Sequence, residues 1–324
     1  MTEAQTEVTT GRHADVGLSL GLTTGRAVSL RHEHARLGAI IEANSVVSTR
    51  LEATQSALGK IAADAQSFIG NLLGARNSAD GPKLIEQQAR GMLDGLVDTL
   101  NTTTAGEYLF AGINADVKPL ANYSGNPASV ASQSISASFT ASFGTVRSDQ
   151  ANVGITAANM QTFLDGPFSA QFSASAWSSN WSTASDRNMR SRISTSELVE
   201  TSVNANDAGI RQLAEAFTMV ADLGTQNLNA SAFQALIDTA AKRAGEAVQK
   251  LGNTQSALGV TQERVTRSSD HMSLQIDIMN KHISALESVD PYEASTRLSS
   301  LTTELETAYA VTARIQKLSI LNYL

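Results

Sequence analysis

From Val47 onward, apolar or small side chains fall at Val47, Leu51, Thr54, Leu58, Ile61, Ala65, Phe68 and Leu72, in alternating steps of four and three. That spacing is a heptad seam and predicts a helix that packs along one narrow stripe. The seam stops at Gly74 and Asn77-Ser78-Ala79-Asp80-Gly81. Pro82 then suits the first turn of a new helix, where its missing N–H leaves no hydrogen bond unmade. Ile85, Ala89, Met92, Leu93, Leu96, Val97 and Leu100 form the apolar face of that second helix before Asn101-Thr102-Thr103-Thr104 weakens it. A turn this short predicts antiparallel neighbours.

Between about Asp116 and Arg190 the period changes. Ile135, Ala137, Phe139, Ala141 and Phe143 alternate with small polar residues, and Phe168, Ala170, Phe172 and Ala174 do the same. Period two predicts strands with one buried face, hence a small β-rich insertion. A largely flexible segment is the alternative, because Ser-rich composition with few large apolar residues can fail to offset chain entropy.

Helical spacing returns at Ile210, Leu213, Phe217 and Val220. A further helix opens at Ser231-Ala232-Phe233-Gln234, which has the form of a capping box. Its stripe runs through Phe233, Leu236, Ala240, Ala247, Leu251, Leu258, Val265, Met272 and Ile283, so an unbroken helix to Val289 would be about 90 Å long. The fold expected is mainly α, a long antiparallel helical rod with a small β-rich inserted domain. Its parts are an N-terminal arm (1–115), the insertion (116–191), a C-terminal arm (192–289) and a C-terminal helix (290–324). Val47, Leu51, Leu58, Ile61 and Phe68 on one arm and Leu251, Leu258 and Val265 on the other are the expected seam. One echo joins the two arms: Thr54-Gln55-Ser56-Ala57-Leu58-Gly59 recurs as Thr254-Gln255-Ser256-Ala257-Leu258-Gly259.

Asp290-Pro291-Tyr292-Glu293 places a capping acid before a first-turn proline, a clean restart of the helix. Leu298, Leu301, Leu305, Ala308, Ile315, Leu318 and Leu321 then form an apolar stripe. The first 25 residues offer only Val8, Val16, Leu18, Leu20 and Leu22, too few for a matching helix, so this stripe is expected to seek neighbouring molecules.

Composition removes several function classes. The formal charge is −7 and no run of Lys or Arg forms a stripe, which argues against nucleic acid. No apolar run reaches about 18 residues, so no membrane insertion is expected, and the acidic N-terminus does not read as a cleavable signal. With no cysteine, disulfides and thiolate chemistry are excluded. His32 and His34 are two apart and point away from each other on a helix, so they cannot share a metal there. No Gly-x-Ser-x-Gly, phosphate-binding loop or His-Glu-x-x-His occurs. No catalytic, cofactor-binding or metal residue is expected, nor a cofactor. Only 5% of residues are aromatic, so a thick aromatic core is not expected, and Trp177 and Trp181 read as core residues before a ligand-stacking platform.

Three segments carry a family resemblance: Thr10-Gly11-Arg12, Glu107-Tyr108-Leu109-Phe110-Ala111-Gly112, and the ending Leu318-Ser319-Ile320-Leu321-Asn322-Tyr323-Leu324. Together they resemble the flagellin superfamily, over roughly 10–119 and 192–324. The ending is closer to the superfamily's hook-associated members than to filament flagellins. The resemblance departs from the family in two places. Only Met1 to Thr9 precede Thr10-Gly11-Arg12, where the family carries a longer helix, so the chain reads as N-terminally short, and Ala14-Asp15-Val16-Gly17 replaces the family's usual turn. The resemblance implies a non-enzymatic structural subunit of the bacterial flagellum, joining hook to filament through coiled-coil packing of its terminal helices. The implied partners are itself, an adjacent hook-associated protein, flagellin and an export chaperone, with type III export to an extracellular position. Filament flagellin and a helical adhesin or sensor are the alternatives.

Overall fold

Among the described residues, 1–78 and 80–317 of the computed structural model, helices account for most of the chain. Helices α1 (Thr2–Thr10) and α2 (Val16–Leu20) precede α3 (Thr24–Ala75) and α4 (Gly81–Leu100). A hairpin of β1 (Thr103–Thr104) and β2 (Glu107–Tyr108) follows. Then come α5 (Val130–Phe143), α6 (Ala157–Phe163) and α7 (Ala174–Asn180), and a second antiparallel hairpin of β3 (Arg190–Arg192) and β4 (Leu198–Glu200). Helices α8 (Ala208–Asp222), α9 (Ala230–Glu287) and α10 (Pro291–Lys317) complete the order. With 58 residues, α9 is about 87 Å long, as its stripe predicts. Contacts divide the chain into two units, residues 43–268 and residues 1–42 with 269–324, and α3 and α9 contribute to both.

In the larger unit, α3 and α9 lie antiparallel. Leu51, Leu58, Ile61 and Phe68 on α3 and Leu251, Leu258 and Val265 on α9 are all buried, with Val47 partly buried beside them. The repeated hexapeptides meet here: Gln55 Nε2 donates to the Gln255 carbonyl at 2.7 Å, and each glycine of the pair lies beside the opposing glutamine. Farther along, Arg76 holds Asp238 through two bonds of 2.7 and 2.9 Å, fork to fork. Helix α8 is buried nearly all round, Ile210, Leu213, Ala216, Phe217 and Val220 included, and it packs against α4, with Phe217 edge-on to Phe68 at 4.9 Å.

The strands expected at 135–143 and 168–174 are absent, and the segment between the two hairpins is mainly helical. The physical reason is legible in burial. Ala131, Ile135 and Phe139 are buried and Phe143 partly so, a period of four, whereas Ala137 and Ala141, which completed the apparent alternation, are exposed alanines. Alanine is the best helix former and carries little burial signal, so a helical stripe was overlaid by a false period of two. Ser129 caps this helix by accepting from the Ser132 N–H, and left-handed Gly144 closes it. Nor is the region thin in aromatics. Tyr123, Phe139, Phe143, Phe163, Phe168, Phe172, Trp177 and Trp181 form a continuous ring cluster, with the two indoles stacked at 5.0 Å. The sparse aromatic residues are concentrated where small polar residues supply little apolar area.

The expected capping box at Ser231 also gives way. Asn229 is the acceptor for the Ala232 N–H at 2.9 Å, and Gln234 reaches Asn77 instead of turning back. Asn ranks with Ser as a cap, and it lies two residues earlier.

The Tyr108-Leu109-Phe110-Ala111-Gly112 segment is woven into the same unit. Leu109, Phe110 and Ala111 are buried, and the backbone bonds Ala205 N–H to the Phe110 carbonyl and Ser185 N–H to the Ala111 carbonyl hold the segment between neighbouring loops. Gly112 has φ +67°, and a Cβ there would lie 2.5 and 2.6 Å from the carbonyl oxygens of Ser185 and Arg187, so no other residue fits without displacing backbone. Arg50 of α3 grips the segment from outside, donating to the Tyr108 carbonyl and to Glu107, each at 2.7 Å.

Candidate assembly surface

In the smaller unit, α10 begins where its sequence signal places it: the Asp290 carboxylate accepts from the Tyr292 N–H at 2.8 Å, with Pro291 in the first turn. Just before it, the chain forms an antiparallel bridge with the Thr10-Gly11-Arg12 segment. His13 N–H donates to the Glu287 carbonyl at 2.9 Å and Val289 N–H to the Gly11 carbonyl at 3.1 Å. Gly11 takes a left-handed conformation, φ 68°, which ends α1 and turns the backbone toward this bridge.

The stripe on α10 is not wholly without an internal partner, contrary to expectation. Helix α1 packs antiparallel on its first turns: Ala4 and Ala294 are buried, and Arg297 reaches the largely buried Glu7 at 3.4 Å. Two small alanines let the backbones approach, so the few large apolar residues of the N-terminal segment were a poor guide. Leu298 and Leu301 are half-buried. Beyond them the cover ends, and Leu305, Ala308 and Ile315 are exposed, the two larger ones by 38% and 64%. Tyr309 and Val311, also exposed, are two apart and border this face on opposite flanks. The sequence pattern overlooked both, although Tyr309 follows Leu305 by four and Val311 follows Ala308 by three. Leu318 and Leu321 lie outside the described residues. The arrangement offers apolar area and a defined direction.

Several of the remaining polar groups pair within the fold. Among the described residues, no group of three His, Cys, Asp or Glu side chains could hold a metal ion, and no helix is long and apolar enough to cross a membrane. Trp177 and Trp181 are buried, and the Trp177 indole N–H donates to Asn206 at 3.1 Å. A cavity of about 510 Å³ contains Asp165, Arg211, Glu215, Arg243, Glu246 and Lys250 in its wall. Arg243 lies 3.4 to 3.8 Å from Asp165, Glu215 and Glu246, so the charges answer one another across α8 and α9. Burial pushes the Glu215 carboxyl above the usual carboxylate range, against the pull of Arg243. Burial and the neighbouring Asp222 carboxylate likewise raise the Tyr123 phenol, which donates to Asp222. The Arg76 bond holds the Asp238 carboxyl below its ordinary value.

Two family descriptions match the chain: the bacterial flagellin N-terminal helical region over residues 1–115, and the bacterial flagellin C-terminal helical region over residues 241–324. No curated protein sequence matches it. Among solved structures, one of a Vibrio parahaemolyticus protein assigned as a flagellar hook-associated protein is similar, with TM-score 0.55 and 9% identity over 82% of this chain and 97% of that one. FlgL of Bacillus cereus is similar with TM-score 0.51 and 11% identity, over 79% of this chain and 99% of that one. At these identities the structures speak for a shared fold, while the two terminal matches, which together span more than half of the sequence, speak for descent: the chain belongs to the flagellin superfamily, as a flagellin-like structural protein with the fold of the hook-associated members.

Proposed function

We propose that this chain is the subunit that joins hook to filament in the bacterial flagellum, the role of hook-associated protein 3, and that it is not an enzyme. The observation that carries the reading is the exposed apolar face of α10, Leu305 through Ile315, on a helix whose start is fixed by a cap and a backbone bridge. Such a face remains costly in water until another helix covers it. Copies of the chain and adjacent flagellar subunits, a hook-associated protein on one side and flagellin on the other, supply that cover through coiled-coil packing of terminal helices. The part of α10 beyond its cover by α1 becomes fully ordered as it is covered, so that folding of this end and assembly are coupled. The subunit leaves the cell through the type III export apparatus, with a chaperone shielding the apolar face beforehand.

The Asn322-Tyr323 ending favours the junction role over that of filament flagellin. Flagellin remains the second reading, because the two matching family descriptions are those of flagellin itself. An adhesin is disfavoured by the burial of both tryptophans. Electron microscopy of a strain deleted for the gene separates the readings. Intact hooks without filaments, with flagellin shed into the medium, are expected. Normal filaments would refute the junction role, and absent filaments with no shed flagellin would point to flagellin.

A further inference from the structure

Glu287, the last residue of α9, is fully buried, with 0% exposure, at the point where the chain turns into α10. Its Oε2 lies 2.6 Å from the Arg31 guanidinium of α3 and 3.7 Å from that of Arg12, while its carbonyl accepts from His13 N–H. Arg12 is the basic residue of the Thr10-Gly11-Arg12 segment, so one carboxylate joins three stretches of chain: the close of α1, the early part of α3 and the end of α9. A second buried carboxylate, on α1, repeats the arrangement at the contact of α1 with α10. Glu7 accepts from the Ala14 N–H at 3.3 Å and lies 3.5 Å from His13 Nδ1 and 3.4 Å from Arg297.

A carboxylate fully removed from water is retained only when cations and hydrogen bonds replace its hydration, and losing one partner leaves an uncompensated buried charge. An apolar contact would hold the corner as well against separation, but it would tolerate rotation. Charge pairs with one geometry do not.

We propose that Glu287 is a positioning residue, the pin of a two-arginine joint that sets the direction in which α10 leaves α9. This rests on the reading of α10 as an assembly helix, and it deepens that reading by naming what aims the helix. The Thr10-Gly11-Arg12 segment then has a physical purpose: Gly11 turns the backbone into the bridge and Arg12 supplies the second cation.

The absence of native cysteine makes the test direct. Spin labels at Asp277→Cys on α9 and Thr303→Cys on α10, both exposed sites, report the angle between these helices in the full-length monomer by electron double resonance. The parent chain is expected to give one narrow distance. Glu287→Gln, which removes the buried charge and leaves two arginines each more than half exposed, is expected to broaden it and to speed hydrogen exchange of the amides of residues 11–14 and 287–294 by about 10-fold, the scale of a lost charge-assisted bond. Arg31→Ala, which leaves the buried carboxylate without its nearest cation, should exceed this, at about 100-fold, and Arg12→Ala, whose contact is longer, should fall below it. Circular dichroism identifies a variant that fails to fold, and Arg12→Ala, the mildest, then provides the reading. Unchanged narrow distances in folded Glu287→Gln and Arg31→Ala would overturn the proposal. Because distances are read on the monomer, binding to isolated hooks is a separate result: a broadened joint with undiminished binding keeps the pin and rejects α10 as the assembly helix.

Discussion

Replacing Leu305 and Ile315 together by alanine tests the exposed face of α10 with little risk to the helix, since alanine has the highest helix propensity. Each substitution removes three carbons, and burying one costs or gains about 0.8 kcal/mol. Ile315 is 64% exposed and Leu305 38%, so only those fractions remain to be covered by a neighbouring molecule. The loss on assembly is then ~1.5 kcal/mol for Ile315 and ~0.9 kcal/mol for Leu305. Together that is a factor of about 50 in affinity, at 1.4 kcal/mol per tenfold. The assay is titration of purified subunit onto isolated hooks, scoring half-occupancy by quantitative electron microscopy, beside thermal unfolding of the monomer by circular dichroism. Half-occupancy should move to about 50-fold higher concentration while the melting temperature stays within a degree or two. Unchanged occupancy would show that the face is not an interface. A parallel fall in monomer stability would show that it is already packed internally.

Three further outcomes follow from the larger unit. Gly112→Ala should destabilise by about 2 kcal/mol or more, combining a positive φ with a Cβ inside contact distance of two carbonyls, and chemical denaturation with an unchanged slope would measure it; a neutral result would mean the segment is looser than described. Phe139→Ala should cost about 3 to 5 kcal/mol as a fully buried aromatic on a helix, and a cost below about 1 kcal/mol by chemical denaturation would contradict its burial. Glu215→Gln should raise the melting temperature at neutral pH. Folding raises this carboxyl's pKa, so the folded chain holds the proton more tightly than the unfolded chain. The stability that the neutral form contributes is therefore present at low pH and lost as pH rises through the raised value. The advantage of the glutamine variant should thus vanish toward acid pH, and an advantage independent of pH would contradict this origin.

The long arms were legible because their signal is repetitive. Leu51, Leu58, Ile61 and Phe68 recur at heptad spacing over many turns, and a false periodicity does not survive that many repeats. The restart at Asp290 and Pro291 was legible for a different reason, since a capping acid and a proline each admit few backbone conformations. The middle of the chain failed on both counts. In Ile135-Ser136-Ala137-Ser138-Phe139 the alanine and the two serines suit a helix surface or a strand about equally, and only the spacing of Ala131, Ile135 and Phe139 distinguishes the two. Five residues cannot separate period two from period four, because every second member of one is a member of the other.

The apolar stripe proposed for assembly was readable in the sequence, and the joint at its base was not. A stripe such as Leu305, Ala308 and Ile315 announces itself by what it lacks, a matching stripe elsewhere in the sequence. Glu287 announces nothing: its partners Arg12 and Arg31 are 275 and 256 positions away, and an isolated glutamate at a helix end is ordinarily solvated. Its burial arises only because Gly11 turns α1 back toward that end, so the information lies in three distant residues jointly. This predicts an asymmetry among substitutions. Conservative changes along the stripe, Leu305→Ile for example, should be absorbed, since dispersion and burial are insensitive to small shifts in direction. Arg31→Lys, equally conservative in charge, should not be absorbed, because the shorter, differently placed ammonium cannot keep the single 2.6 Å bond to a carboxylate that is fully out of water. Measuring both in the hook-binding titration compares area with direction on one helix, and equal effects would mean that direction is set elsewhere than at this joint.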